Sequence, residues 1–295
     1  MRYKKPISIL VIIIIVLSFA ASAYGVFSRQ GPGQHEFKSL YGETVQLYGK
    51  GLYQNNSVSI ASQGIAQDVV TMILGIPLLI VSLYLFRKGL LKGRLLLAGT
   101  LGYFLYSYTS YVFLCMYNPL FLVYVILMSS SLFAFILILM SFDLEKLGSC
   151  FHPKMPVRFL SGFLFFLAAV LGLMWLGMIV PPLLKGTVPP PLEHYTTLVV
   201  QAMDLGFVVP TAILGGVLLL KRKPFGYLLT SVMIIKGLSM GTALTAMIIG
   251  QLLAGVTISF AVIVLFPAVN LLMVYCMFIV MKNIKEPEQD ARRIV

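Results

Sequence analysis

The chain has 295 residues, 59% of them hydrophobic and only 11% charged, with a formal net charge of +12 and a mean hydropathy of +0.95. Soluble domains carry about 45–50% apolar and about 25% charged residues, so a water-soluble core is excluded. Seventeen of the 22 Lys and Arg fall in segments that share one side of a membrane, four on the other and one within a span; this asymmetry marks the inner side and points to anionic lipid, not nucleic acid, as the partner of the charge.

Eight apolar runs predict an all-α polytopic transmembrane bundle with both termini inside the cell membrane. The first, Ile7 to Phe27, follows Arg2, Lys4 and Lys5. It reads as a retained helix or, with Ala21-Ser22-Ala23 as cleavage site, as a signal peptide. Residues 28–67 then lie outside. Their alternating, aromatic-rich stretch Phe37 to Tyr53, followed by Val58-Ser59-Ile60, predicts a small hairpin or cap on the outer face, open to a protein partner. Span 2 runs from Asp68 to Phe86 around Pro77, and Arg87, Lys88, Lys92 and Arg94 make a basic turn. Span 3 is Leu95 to Met116, and Asn118-Pro119 turns the chain outside into span 4, Leu120 to Met140. An inner loop reaches Arg158. Span 5, Phe159 to Ile179, precedes an outer loop with two proline clusters. Span 6, Leu198 to Leu220, holds Asp204 and Pro210. The turn Lys221-Arg222-Lys223-Pro224 leads to span 7, Gly226 to Ile249, and span 8, Thr257 to Met281, contains Pro267 and Asn270. The charged tail is inside.

The halves 1–158 and 159–295 share this plan. Placing Pro77 on Pro210 lays Gly93 on Gly226 and brings Gln67-Asp68 close to Gln201 and Asp204, the pattern of a parallel four-helix duplication, which is frequent in transporters.

Lys236 is the sharpest chemical signal. It lies about ten residues into its span, roughly 15 Å from the inner end, where a charge costs about 2.5–3.5 kcal/mol and must face protein or water. Asp204 is its natural partner, although an axial offset of about 10 Å is long for direct contact; a bridging water or Gln201 would complete the pair. Asp68 is the corresponding acid of the first half. Span 3 presents Tyr103, Tyr106, Ser107 and Ser110 at helical spacing, a face that binds a ligand or hydrogen-bonds its neighbours. Asn270 beside the Pro267 kink is a further cavity candidate. Gly237-x-x-x-Gly241 reads as a packing surface. Cys115, Cys150 and Cys276 form no C-x-x-C pair, the three histidines lack metal-ligand spacing, and no cofactor motif or nucleophile–base pair points to an enzyme.

The run Gly93-Arg94-Leu95-Leu96-Leu97-Ala98-Gly99-Thr100-Leu101-Gly102-Tyr103-Phe104-Leu105-Tyr106, followed by Tyr117-Asn118-Pro119-Leu120-Phe121-Leu122-Val123-Tyr124, resembles a group of uncharacterised prokaryotic multi-pass membrane proteins over most of the chain. The four-helix unit is similar in architecture to DoxX-like proteins. Neither resemblance implies an activity or carries over a site residue. The expected function is transport or binding of a small ligand near Asp204, Lys236 and the span 3 tyrosines. The alternative is a non-catalytic assembly or sensory component in which the Asp–Lys pair only locks helices.

Overall fold

The computed structural model describes residues 3–286. Met1, Arg2 and the tail after Glu286, expected on the basic side, lie outside the described residues. The described residues form an all-α bundle of eight long helices: α1 (Lys4–Phe27), α2 (Val58–Arg87), α3 (Leu91–Phe113), α4 (Phe121–Leu139), α5 (Val157–Lys185), α6 (Val199–Leu220), α7 (Pro224–Leu253) and α8 (Phe260–Lys282). Seven of them are long and apolar enough to cross a membrane. The exception is α3. It is long enough, but its tyrosines, serines and threonines make it too polar by composition. It tolerates them because it packs against α2, α4 and α7, with most of its residues buried away from lipid.

The second span starts earlier than the sequence suggests. Val58–Gln67, assigned above to the outer cap, is helical and continuous with the rest of α2. Ser57 begins it: its Oγ accepts the Ile60 amide at 3.2 Å, an N-cap that overrides the strand preference of Val58 and Ile60. The hairpin itself forms as expected. Strands β1 (His35–Lys38) and β2 (Thr44–Leu47) pair antiparallel, with His35 opposite Leu47 and Lys38 opposite Thr44.

Both proline-containing spans carry a π turn, Thr71–Gly75 in α2 and Asp204–Val208 in α6, each closing shortly before its proline. Proline has no N–H and its ring crowds the carbonyl one turn back, and the wider turn accommodates both. The turns from α2 to α3 and from α6 to α7 also correspond. In the first, Gly89 is left-handed (φ 96°) and the Leu90 amide donates to the Leu85 carbonyl at 3.2 Å. In the second, Arg222 takes that conformation (φ 51°) and Lys223 donates to Leu218 at 2.9 Å. Each is a Schellman-type stop that reverses the chain at once.

Helices α3 and α7 lie side by side at the centre. Around α3 the packing is closed: α1 runs along α4 and α2 and buries Ile7, Val11, Ile14, Ser18, Ala21, Ser22 and Gly25, one residue per turn or nearly so. Around α7 it is not. Helix α5 buries nothing after Ala168, and α8 buries nothing before Met273.

On the cap side the loops dock onto one another. The Tyr195 hydroxyl accepts the Ser57 amide at 3.1 Å and donates to Asn56 Oδ1 at 3.3 Å, and the same oxygen accepts the Met116 amide at 3.0 Å. Burial in this contact lowers the His194 pKa and raises that of Glu193. In both groups desolvation disfavours the charged form.

On the basic side the loop between α4 and α5 is stitched to the end of α8: His152 N donates to Asn283 O at 2.8 Å and Lys285 N to Cys150 O at 2.7 Å. Glu286 then reaches α3, where its two carboxylate oxygens accept the Leu91 and Lys92 amides at 2.6 and 3.0 Å. A carboxylate on the free amides of a helix start is favoured by both hydrogen bonding and the helix dipole. Glu286→Ala is therefore expected to cost about 1–2 kcal/mol, read as faster hydrogen exchange at Leu91 and Lys92 and a lower Tm in detergent.

Candidate functional site

A cavity of about 240 Å³ lies where α5 and α8 stand apart over α7. Its walls are mostly apolar: Val170, Leu171 and Met174 of α5, Met233 and Met240 of α7, and Leu265, Phe266 and Val269 of α8. Most polar groups come from α2, α3, α6 and α7, with Trp175 of α5 and Asn270 of α8.

Asp204 opens the π turn of α6 and is 8% exposed. Its Oδ1 accepts the Tyr106 hydroxyl at 2.8 Å, and its Oδ2 accepts Trp175 Nε1 at 2.9 Å. One carboxylate thus ties α3, α5 and α6 together. Lys236 projects from α7 with its Nζ 4.0 Å from the centroid of the Tyr106 ring. Cation–π attraction of this kind is worth about 0.5–2 kcal/mol. The pair expected from the sequence is therefore indirect. Tyr106 stands between the two charges, giving its face to the ammonium and its hydroxyl to the carboxylate, and it spans the axial offset that made direct contact unfavourable. Both oxygens of Asp204 have donors. Lys236 has three N–H groups to satisfy and, among the described residues, only a π face to meet them.

Two acceptors at the wall also lack donors. Gln67 Nε2 donates to Tyr103 Oη at 2.9 Å and to Ser107 Oγ at 2.8 Å, leaving Oε1 unpaired. Asn270 Nδ2 donates to Thr242 Oγ1 at 3.3 Å, leaving Oδ1 unpaired. Asn270 lies close on α7 because position 241 is glycine: a Cβ there would stand 2.6 Å from Asn270 Oδ1. Gly237 likewise faces Met273, so the small-residue pattern of α7 packs against α8.

The structure brings Asp204, Lys236, Tyr106, Ser107, Ser110 and Asn270 to this one cavity. It places Asp68, Tyr103 and Gln201 elsewhere. Tyr103 is fully buried and bonded to Thr71 at 3.0 Å. Asp68, 3% exposed, accepts Tyr53 OH at 2.5 Å and Tyr111 OH at 3.0 Å inside the closed half. Gln201 is buried one turn before Asp204, outside the lining. Trp175 and Gln67 are lining residues that sequence reasoning did not select. Among the described residues no three His, Cys, Asp or Glu side chains come together as a metal site.

Comparison of the chain with family models, curated proteins and solved structures gives no match.

Proposed function

We propose that this multi-pass protein of the cell membrane binds or transports a small ligand in the cavity bordered by α5, α7 and α8, with Asp204, Tyr106 and Lys236 as its polar centre. The observation that carries this reading is the unequal satisfaction of the two charges: the carboxylate has both oxygens bonded, while the ammonium opens on the cavity with no acceptor among the described residues. An intramembrane charge kept in this state is a functional candidate by default. A purely structural pair would bring its members together.

The same reading takes the chain as two four-helix halves, 1–158 and 159–295, with both termini cytoplasmic and the first helix retained. Register supports it. With Pro77 on Pro210, the two π turns coincide, Gly89 falls on Arg222, Thr71 falls on Asp204 and Tyr103 falls on Lys236. The neutral Thr71–Tyr103 contact of the closed half stands where the open half has its charges. The exposed Phe37, Leu40 and Tyr41 of the hairpin are the place for a protein partner.

A second reading, in which Asp204 only locks helices in an assembly or sensory component, is favoured by its bonds to two neighbouring helices. Native mass spectrometry of the protein released from its own membranes separates the two. A small molecule retained by the wild type and lost from both Lys236→Met and the cavity-filling Val269→Phe is expected. An empty wild-type cavity, with Lys236→Met folded and as active in the cell as wild type, favours the locking role.

A further inference from the structure

The open side of the cavity and the unmet Lys236 ammonium together define a ligand class. We infer that the site takes a single-chain amphiphile with a compact anionic head, of the fatty-carboxylate kind, entering sideways from the bilayer between α5 and α8. This rests on the ligand-binding reading above and narrows it.

The route follows from the packing. Helices α5 and α8 touch near the basic side, where the Phe159 and Tyr275 rings lie 5.8 Å apart. Toward the cap side their facing residues line the cavity and are not buried against each other. A chain seated there meets Leu171, Met174, Phe266 and Val269, side chains that suit methylene groups and offer a polar solute nothing. A wholly water-soluble ligand is disfavoured on that ground.

The head follows from the polar centre. Each Asp204 oxygen already holds one donor, from Tyr106 and from Trp175. Lys236 needs acceptors, and a charge-assisted bond to an anion is stronger than a neutral one. A cationic head would meet the Lys236 ammonium at close range and share Asp204 with the Tyr106 and Trp175 donors it already holds. A neutral hydroxyl head would satisfy one N–H with a bond weaker than that of an anion.

Trp175 is the only tryptophan in the chain and lines the cavity, so its fluorescence reports occupancy. The protein in phosphatidylcholine nanodiscs is titrated with 9,10-dibromostearic acid and, separately, with 9,10-dibromostearyl alcohol. The expected result is saturable quenching by the acid, at least about tenfold tighter than by the alcohol, reduced to the alcohol's level in Lys236→Met and retained in Lys236→Arg. Circular dichroism confirms that each variant is folded. Equal, saturable quenching by acid and alcohol overturns the anionic head and leaves the cavity reading standing. Quenching by both that rises only in proportion to membrane loading overturns both. If Lys236→Met does not fold, the acid-to-alcohol ratio of the wild type and Lys236→Arg decides: a ratio near one overturns the assignment.

Discussion

Asp68→Ala is expected to destabilise the bundle by about 3–5 kcal/mol. The carboxylate lies in the closed half, 3% exposed, with Oδ2 2.5 Å from the Tyr53 hydroxyl and Oδ1 3.0 Å from that of Tyr111. Tyr53 belongs to the segment before α2, and Tyr111 to α3, so one acid fastens the cap to the helical core. Helix α1 seals it. Position 25 is glycine because a Cβ there would fall 1.9 Å from Asp68 Oδ2. Truncation leaves the Tyr53 phenol with no acceptor, removes one from Tyr111, and opens a void beneath α1. A buried polar group without a partner costs about 1–3 kcal/mol. Asp68→Asn keeps one acceptor and supplies a donor, so it should cost about 1–2 kcal/mol. Adding Tyr53→Phe to Asp68→Ala should cost little more, because the orphaned hydroxyl is gone. Equilibrium unfolding in mixed micelles measures all three. A loss below about 1 kcal/mol for Asp68→Ala, inside the range of an ordinary surface change, would mean that the phenols find other partners and that Asp68 is not the fastening.

The contrast between Asp68 and Asp204 marks what could be read from the residues alone. The spans were legible because lipid demands about 20 consecutive apolar residues and the basic turns punctuate them. Lys236 and Asp204 were legible because charge at that depth needs a reason. Tyr106 was legible as part of a polar helix face. The first ten residues of α2 were not, because Ser59, Ser62, Gln63 and Gln67 look like an exposed cap. They are polar because they face α3, α7 and the cavity instead of lipid. Trp175 was missed for a similar reason: a lone tryptophan toward the end of a span reads as an interfacial anchor, and its partner Asp204 is on another helix. Nor does hydropathy separate Tyr103 from Tyr106. The first is enclosed because α1 lies along its half of the bundle. The second meets a cavity because α5 and α8 leave theirs open, and that difference resides in packing between helices distant in sequence.

Gly93→Ala and Gly226→Ala should each cost about 3 kcal/mol or more, and by similar amounts. Each glycine sits in the first turn of a central helix, directly against the end of the helix before it. A Cβ at position 93 would stand 2.4 Å from Leu85 C and 2.5 Å from Phe86 N; one at position 226 would stand 2.4 Å from both Leu218 C and Leu219 N. These are backbone atoms, so no rotamer change relieves the clash. Separating the helices instead would break the Leu90–Leu85 and Lys223–Leu218 bonds that end α2 and α6. Gly162→Ala and Gly172→Ala on α5 are the controls. Nothing lies within 4 Å of either added Cβ, and alanine favours a helix over glycine by about 1 kcal/mol, so both should be neutral or stabilising. Unfolding in mixed micelles compares the four. Matched losses at 93 and 226 are what two copies of one helix–turn–helix unit require, since the same backbone would be under the same constraint twice. A large loss at Gly93 with tolerance at Gly226 would mean that the two turns differ in kind. The correspondence of Thr71–Tyr103 with Asp204–Lys236 would then lose its structural basis, and the charged centre would have to be explained without a neutral counterpart.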